Sequence, residues 1–310
     1  HPSVPRRNNG YALDILANMQ PFNSKGEAFN FAKLLAGSEG TLAFTTEMKL
    51  NLIDLPPKEK ALLCVHFDKL TDAFHANLIA LKYQPSAIEL MDKTIMDMTK
   101  QNIGLQRNRF FINGDPEAIL IIELWSEQKE EIIQRAGQIE QAMRDKGYGT
   151  HFPLIWGADI PRVWNLRTAG LGVLSNMPGD AKPVSVVEDT AVPVDKLPAF
   201  MAEFQSKLDE MNLQAVYHAH IATGELHLRP VLNLKDEGDI ILFRKIATET
   251  ATLVKKYRGS LSGEHGDGRL RGEFIPFMLG ETVYQFLREI KNAWDPQNIF
   301  NPGKITDTPP

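Results

Sequence analysis

The sequence predicts an α+β fold: a ferredoxin-like domain with an antiparallel sheet and helices on one face. Three observations predict it. From Val184 onward, strand-like and helix-like segments follow the order βαββαβ, the ferredoxin-like arrangement. Residues 57 to 183 repeat that order loosely. Between these segments and the first 56 residues stands Pro56-Pro57 followed by "KEK", a punctuation that marks a domain boundary.

Taken in order, residues 1 to 25 are rich in Pro, Asn, Arg and Ser and read as loop. "GEAFNFAKLLAG" carries a short helical pattern, and "GSEGTLAFTTEMKLNLIDLPP" is a glycine turn leading into an alternating, strand-like run. "ALLCVHF" reads as a strand and "LTDAFHANLIALKY" as a helix. A further helix, "AIELMDKTIMDMTKQN", reads as an insertion. "AILIIELW" is an uninterrupted apolar run suited to a buried strand. "EQKEEIIQRAGQIEQAMRDKG" places Ile132, Ile133, Ala136, Ile139 and Met143 on one helical face, and "THFPLIW" reads as the next strand. "VSVVEDTAVP" opens the second half as a strand. A helix follows with Asp195 as its N-cap and Leu197, Phe200, Met201, Phe204 and Leu208 at helical spacing. The last long helix runs over "DIILFRKIATETATLVKKYRG" and ends at Gly259.

The 310 residues are 43% hydrophobic and 24% charged, with a net charge of −5. That balance offers no basic stripe to neutralise phosphates and argues against a nucleic-acid partner. Cys64 is the single cysteine, so an internal disulfide and an all-cysteine iron–sulfur cluster are excluded within this sequence. No apolar run approaches the ~18 residues that span a bilayer, and no signal peptide is visible. The expected location is the cytoplasm. The sequence opens on His1 rather than Met and reads as a fragment.

"VYHAHIATGELHLRP", residues 216 to 230, holds three of the eight histidines. Strand-like segments flank Thr223-Gly224, and Gly224 suits a two-residue hairpin turn. That turn pairs Ala222 with Glu225, Ile221 with Leu226, and His220 with His227. Opposed residues have Cβ atoms about 4.5–5.5 Å apart on one face, and His218 shares that face. Two imidazoles side by side form half of a metal site, to which zinc adds a carboxylate or further histidine. The alternative is a pair of partly exposed strand histidines bonded to water or backbone. "GSLSGEHGDGRLRGEF" supplies Glu264 as a candidate third ligand and His265 as a candidate general base beside it. A surface loop with a helix-capping acid is the competing reading. A cation would lower the pKa of a bound hydroxyl, but His, Glu and zinc cannot accept two electrons, so hydride chemistry needs a further cofactor.

Several stretches resemble one family. "GSEGTLAFTTE", "PSAIELMD", "HIATGELH", "SGEHGDG" and "WDPQNIFNPGKI" are similar, in order, to motifs of FAD-linked oxidases of the vanillyl-alcohol-oxidase type. The branch is that of D-lactate, glycolate and D-2-hydroxyglutarate dehydrogenases. "VVEDTAVP" and "GEHGDGRLRGEF" resemble the FAD module of large bacterial proteins fused to an iron–sulfur domain. The resemblance implies that residues 1–56 are the end of an α+β FAD-binding domain and 57–310 the substrate domain. It implies FAD as cofactor, with its site incomplete here, contacted by Gly37, Ser38, Glu39, Gly40, Thr41 and Asn301. It implies a divalent metal, zinc by expectation, on His220, His227 and Glu264, with His265 as base. Arg167 in "VWNLRTAG" and Lys182 would hold the carboxylate of a small anionic 2-hydroxyacid, a task that suits the planar fork of Arg. A solvated helix face is the alternative for Arg167. The hairpin reads "ATGE" where the family has "GDGN", so a polar contact there is lost or replaced by Glu225.

The expected activity is FAD-dependent oxidation of a D-2-hydroxyacid such as lactate or 2-hydroxyglutarate. The electron acceptor is open, an iron–sulfur domain outside this chain being one choice, with attachment to the inner membrane through such a partner. Two rival readings are a cofactor-free module that binds a ligand or partner, and a zinc hydrolase, although H-E-x-x-H is absent.

Overall fold

The computed structural model describes residues 2–100 and 102–310. In chain order the first elements are α1 (Leu13–Ala17), α2 (Ala32–Leu35), β1 (Glu59–Phe67), α3 (Leu70–Ala80), β2 (Ala87–Asp92), α4 (Lys93–Lys100) and α5 (Ile103–Gln106). Then come β3 (Ala118–Ser126), α6 (Lys129–Arg144), β4 (Leu154–Trp156), α7 (Ile160–Leu174), β5 (Lys182–Pro183) and β6 (Val187–Ala191). The last are α8 (Leu197–Glu210), β7 (Ala215–His220), β8 (Glu225–Leu232), α9 (Glu237–Lys256), α10 (Gly268–Arg271), α11 (Ile275–Leu279) and α12 (Glu281–Trp294). Two compact units share these elements. One comprises His1–Leu52, Asp189–Val192 and Ala251–Pro310; the other comprises Ile53–Glu188 and Pro193–Thr250. Ala251–Pro310 belongs to the same unit as the N-terminal residues.

The sheet-bearing unit is built on an antiparallel order β4-β1-β3-β2-β7-β8-β5. The stretch β4-β1-β3-β2 is the ferredoxin-like order, so the half expected to repeat it only loosely carries it in full. β3 sits between two strands and is covered on both sides. Ile119, Leu120, Ile121 and Ile122 are all fully buried, each worth about 1.5–3 kcal/mol of transfer from water. α3 and α6 pack on β1 and β3, and α8 packs on α3. The expectation of helices on one face is too narrow. Ile160, Val163 and Leu166 of α7 join Leu62, Cys64, Met91, Ile119 and Ile121 in a core on the opposite face. That core brings α7 over the strand residues that flank the histidine hairpin.

The helix expected over residues 87 to 102 is instead a strand followed by a helix, with Gln101 outside the described residues. Asp92 explains the break. Its Oδ1 accepts the Ile95 N–H at 2.9 Å, satisfying an orphan donor in the first turn of α4. Its Oδ2 accepts the Tyr217 N–H at 2.8 Å and pins β7 beside β2. Smaller differences have similar local causes. Asp195 lies in a 3₁₀ turn and Lys196 occupies the N-cap of α8 without a side-chain cap. Ile133 is half exposed while Ile132, Ala136, Ile139 and Met143 are buried. At the end of α9 the left-handed residue is Arg258 (φ +56°), and Gly259 is held by close approach, since a Cβ there would lie 2.3 Å from the Ala191 carbonyl oxygen.

The other unit has a core of Tyr11, Leu16, Met19, Leu34, Leu42, Ile275, Leu287 and Ile305. α1 lies in the stretch expected to be loop, and the helix expected over 26–37 is limited to α2. The alternating run after Thr41 forms no strand among the described residues. Period-two alternation specifies a strand only where another edge supplies its hydrogen bonds.

His66 gives the sheet-bearing unit a titratable core group. Its Nδ1–H donates to the Cys64 carbonyl at 3.1 Å and its Nε2 accepts the Asn113 N–H at 3.2 Å. A second ring proton would face that N–H donor. Burial, opposed by the Cys64 carbonyl and assisted by the charge of His151, pushes its pKa down to about 4. The folded value lies below the unfolded value near 6.5, so the neutral ring's contribution is complete above pH ~6.5 and drains as pH falls towards 4. Denaturant melts should therefore show His66 costing about 2 kcal/mol on going from pH 7.5 to pH 5. His66→Gln, which can accept and donate at the same two places without titrating, should remove that part of the slope. An unchanged slope in the variant would refute the assignment.

Candidate functional site

The β7–β8 hairpin places three imidazoles on one sheet face, in a register that differs from the expected one. His218 opposes His227, Ala219 opposes Leu226, and His220 opposes Glu225. The turn uses four residues rather than two. Ile221–Thr223 form a 3₁₀ turn and Gly224 takes the left-handed conformation at φ +75°. The buried Ile221 side chain draws the turn inward, and its carbonyl accepts the Asn77 Nδ2–H from α3 at 3.1 Å and the Gly224 N–H at 3.1 Å. Both extra turn residues, Ile221 and Ala222, come from β7, so the pairing shifts by two, side-chain parity survives and all three histidines keep a common face. His227 stacks on His218 with ring centroids 4.7 Å apart and meets His220 edge-on at 5.1 Å.

His218 and His227 are buried, whereas the His220 side chain retains 30% of its exposure. Burial, reinforced by the neighbouring His227 ring, holds His218 far below the ordinary histidine range, so it remains neutral. Its Nδ1 finds no hydrogen-bond partner among the described residues.

β2 runs on the other side of β7, with Leu90 opposite Ala219 and Met91 opposite His218. Extending that register sets Glu89 beside His220. Glu89 Oε1 lies 2.8 Å from His220 Nδ1, and Glu89 Oε2 accepts Arg167 Nη2–H at 2.9 Å. Both Glu89 and Arg167 are buried, so Arg167 does not belong to a solvated helix face. Its Nε–H is buried and has no acceptor among the described residues. Lys182, on β5, donates its Nζ–H to the Met177 carbonyl. Glu225 is completely buried, and Arg229, two residues beyond His227, pairs with Glu188. Glu89 was missed because its stretch reads as a helix, where an isolated acid falls on a solvated face. The available signal was one carboxylate inside the otherwise apolar "AIELM".

In the other unit, Glu264 and His265 sit on a loop organised by Asp189. This residue is fully buried and adopts φ +76°, a region in which Asp is better tolerated than most residues. Its carboxylate accepts the N–H of Glu264 at 2.7 Å, the N–H of His265 at 3.0 Å and the Ser262 hydroxyl at 2.7 Å. Glu264 Oε2 pairs with Arg6 Nη1 at 2.8 Å, and its Oε1 lies 3.4 Å from His265 Nε2. Both side chains are partly exposed.

The glycine turn occupies the same unit, with positive φ at Gly37, Glu39 and Gly40. Glu39 accepts the Asp267 N–H at 2.6 Å and the Gly268 N–H at 3.0 Å. Asn301 Nδ2–H donates to the Glu39 carbonyl at 2.8 Å. Thr41 Oγ1 donates to the Ser38 carbonyl at 2.7 Å and meets the Tyr11 hydroxyl at 2.6 Å. The side chains of Glu39, Thr41 and Asn301 thus hold the turn itself. Backbone at Gly37 faces a cavity of about 300 Å³ that Arg7, Asn8 and Lys33 also line, and a Cβ on Gly40 would meet open space.

Comparison with known proteins is consistent with these features. The sequence profile described as "FAD linked oxidases, C-terminal domain" matches residues 56–305. The chain is 32% identical over 315 residues to D-2-hydroxyglutarate dehydrogenase of Escherichia coli (strain K12), covering 98% of this chain and 30% of that protein. It is 26% identical to D-lactate dehydrogenase of Archaeoglobus fulgidus, covering 91% of this chain and 59% of that protein. Among solved structures, p-cresol methylhydroxylase with substrate bound superposes with a TM-score of 0.63 at 12% identity, covering 95% of this chain and 62% of that one. Such a likeness shows the fold alone. The chain spans about a third of the length of the D-2-hydroxyglutarate dehydrogenases that it matches. It belongs to the FAD-linked oxidases and carries their C-terminal domain.

Proposed function

We propose that the chain is the substrate-domain portion of a FAD-dependent D-2-hydroxyacid dehydrogenase, with lactate, 2-hydroxyglutarate or a similar small anionic acid as substrate. The observation that carries the reading is the shared face of β2, β7 and β8, where adjacent imidazoles and a buried arginine occur in one unit. Membership of the FAD-linked oxidases and the names of the relatives support it. In domain terms, residues 1–56 are the end of a FAD-binding domain and 57–310 the substrate domain.

The residues fit FAD in part. Left-handed backbone at Gly40, where a Cβ would meet open space, leaves room for a bulky group, and Lys33 lines the cavity beside Gly37 together with Arg7, which pairs with Asp14 at 2.6 Å. In this reading Gly37, Ser38 and Gly40 contact the cofactor through backbone, while Glu39, Thr41 and Asn301 hold the turn in shape. The donor set of His220, His227 and Glu264 fits a divalent cation, zinc by preference. When bound, FAD accepts a hydride and the cation favours ionisation of the substrate hydroxyl.

The chain's own groups perform the remaining work. Arg167 is the clamp for the substrate carboxylate, its planar guanidinium being suited to that group. Lys182 adds a second positive charge. His265 takes the hydroxyl proton on a ring nitrogen as the α-hydrogen departs with its electron pair, leaving the 2-oxoacid. Asp189 fixes the backbone from which His265 projects. The electrons leave through an acceptor outside this chain, an iron–sulfur domain in our reading, and the protein works in the cytoplasm, held at the inner membrane through such a partner. No helix among the described residues is long and apolar enough to cross a membrane itself.

In the flavin-loaded protein that contains this chain, His265→Ala should slow flavin reduction by a D-2-hydroxyacid by about 10²–10⁴-fold while zinc content is retained. Stopped-flow bleaching of the flavin reads the first and elemental analysis the second; unimpaired bleaching rules out the base. His227→Ala should abolish stoichiometric zinc retention after dialysis. Equal zinc in the wild type and this variant would place any metal elsewhere.

A further inference from the structure

A buried carboxylate lies against His220, one of the candidate ligands. Glu89 lies on β2, among apolar strands, with its side chain about one-tenth exposed. Burial of a charge is costly unless it is paired and hydrogen-bonded. One oxygen meets the guanidinium of Arg167 at 2.9 Å and the other meets His220 Nδ1 at 2.8 Å. All three residues lie in the sheet-bearing unit.

We propose, resting on the metal reading, that Glu89 is a positioning residue: anchored by Arg167, it takes the Nδ1–H of His220 and so fixes the ring as a lone-pair donor at Nε2 for a divalent cation. A carboxylate offers only acceptors, so the Nδ1 that faces it carries the hydrogen. In a neutral imidazole the hydrogen on one nitrogen leaves the other as the ligand atom. Histidines that hold metals commonly donate their second N–H to a carboxylate, and removal of that partner weakens metal binding about 10–100-fold. Arg167 has two tasks in this arrangement. Its Nη2 keeps Glu89 in place, while its Nε–H points elsewhere without a partner among the described residues.

The test uses Glu89→Gln, because truncation to Ala would leave the Arg167 charge buried and unpaired and could unfold the chain. Gln keeps the shape but has one oxygen for two donors. The charged guanidinium takes it, and the amide –NH₂ then faces His220 Nδ1. His220 must accept there, which moves its hydrogen to Nε2. In the metal-free chain, ¹⁵N–¹H correlation spectra should show His220 with hydrogen on Nδ1 in the wild type and on Nε2 in Glu89→Gln. Zinc chloride titration should show a Kd raised about 10–100-fold in the variant. In the double variant Glu89→Gln with Arg167→Met, the Gln oxygen is released to His220, so the Nδ1–H tautomer and most of the zinc affinity return. An unchanged tautomer, or an unchanged Kd despite a changed tautomer, overturns the proposal. So does a variant that only melts earlier. If the wild type itself binds no zinc, the metal reading fails separately, and the tautomer then decides the role of Glu89 by itself.

Discussion

Antiparallel register across β2, β7 and β8 is the constraint on which the candidate chemistry depends. Three contacts set it. Asp92 closes β2, caps α4 and accepts the Tyr217 N–H, so β7 cannot slide along β2 without losing a buried hydrogen bond. Asn77 and Gly224 both hold the Ile221 carbonyl, fixing the turn at four residues. A one-residue slip of β7 would send its histidines to the opposite face, into the space now filled by Ala219 and its apolar neighbours. With the register in place, Glu89 and His220 become lateral neighbours across β2 and β7, and α7 delivers Arg167 over the same face.

A different device organises the other unit. There, carboxylates rather than strand ladders satisfy the backbone of glycine-flanked bends. Asp189 serves Glu264 and His265, Glu39 serves Asp267 and Gly268, and Asp267 accepts the Asn9 amide at 2.9 Å and the Gly10 N–H at 2.6 Å. Lys291 adds a buried cation that donates to the Thr41 carbonyl at 2.7 Å and the Phe300 carbonyl at 2.6 Å. The result is that "NNG", "GSEGT", "GEHGDG" and "NPGK", scattered over almost the whole length, are parts of one hydrogen-bonded assembly. Gly266 has a direct reason to be glycine, because a Cβ there would come within 2.8 Å of the Glu39 carboxylate.

How much of this could be read from sequence follows from the range of each signal. The strands "ALLCVHF" and "AILIIELW" were legible because uninterrupted apolar residues bounded by charges leave little choice. The common face of His218, His220 and His227 was legible as well, since parity survives an error of two residues in turn length. The turn length itself was not, because it depends on Ile221 sinking beside Asn77 of a distant helix. "AIELMDKT" misled for the same reason: local pattern cannot reveal that Asp92 will end one element, start another and hold a third. Glu89 was invisible until its strand neighbours were known. Asp189 hid beside Glu188 in the strand "VEDTA", where nothing local distinguishes the acid that will serve a distant loop. The return of residues 251–310 to the N-terminal segment is a non-local packing event without a local signature.

The central claim is that the hairpin imidazoles hold a divalent cation. X-ray absorption at the zinc edge on the zinc-loaded chain tests it most directly. The account predicts a first shell of nitrogen and oxygen near 2.0–2.1 Å, with the outer-shell scattering that two imidazole rings produce. A shell without imidazole scattering, or one containing sulfur from Cys64, would contradict it.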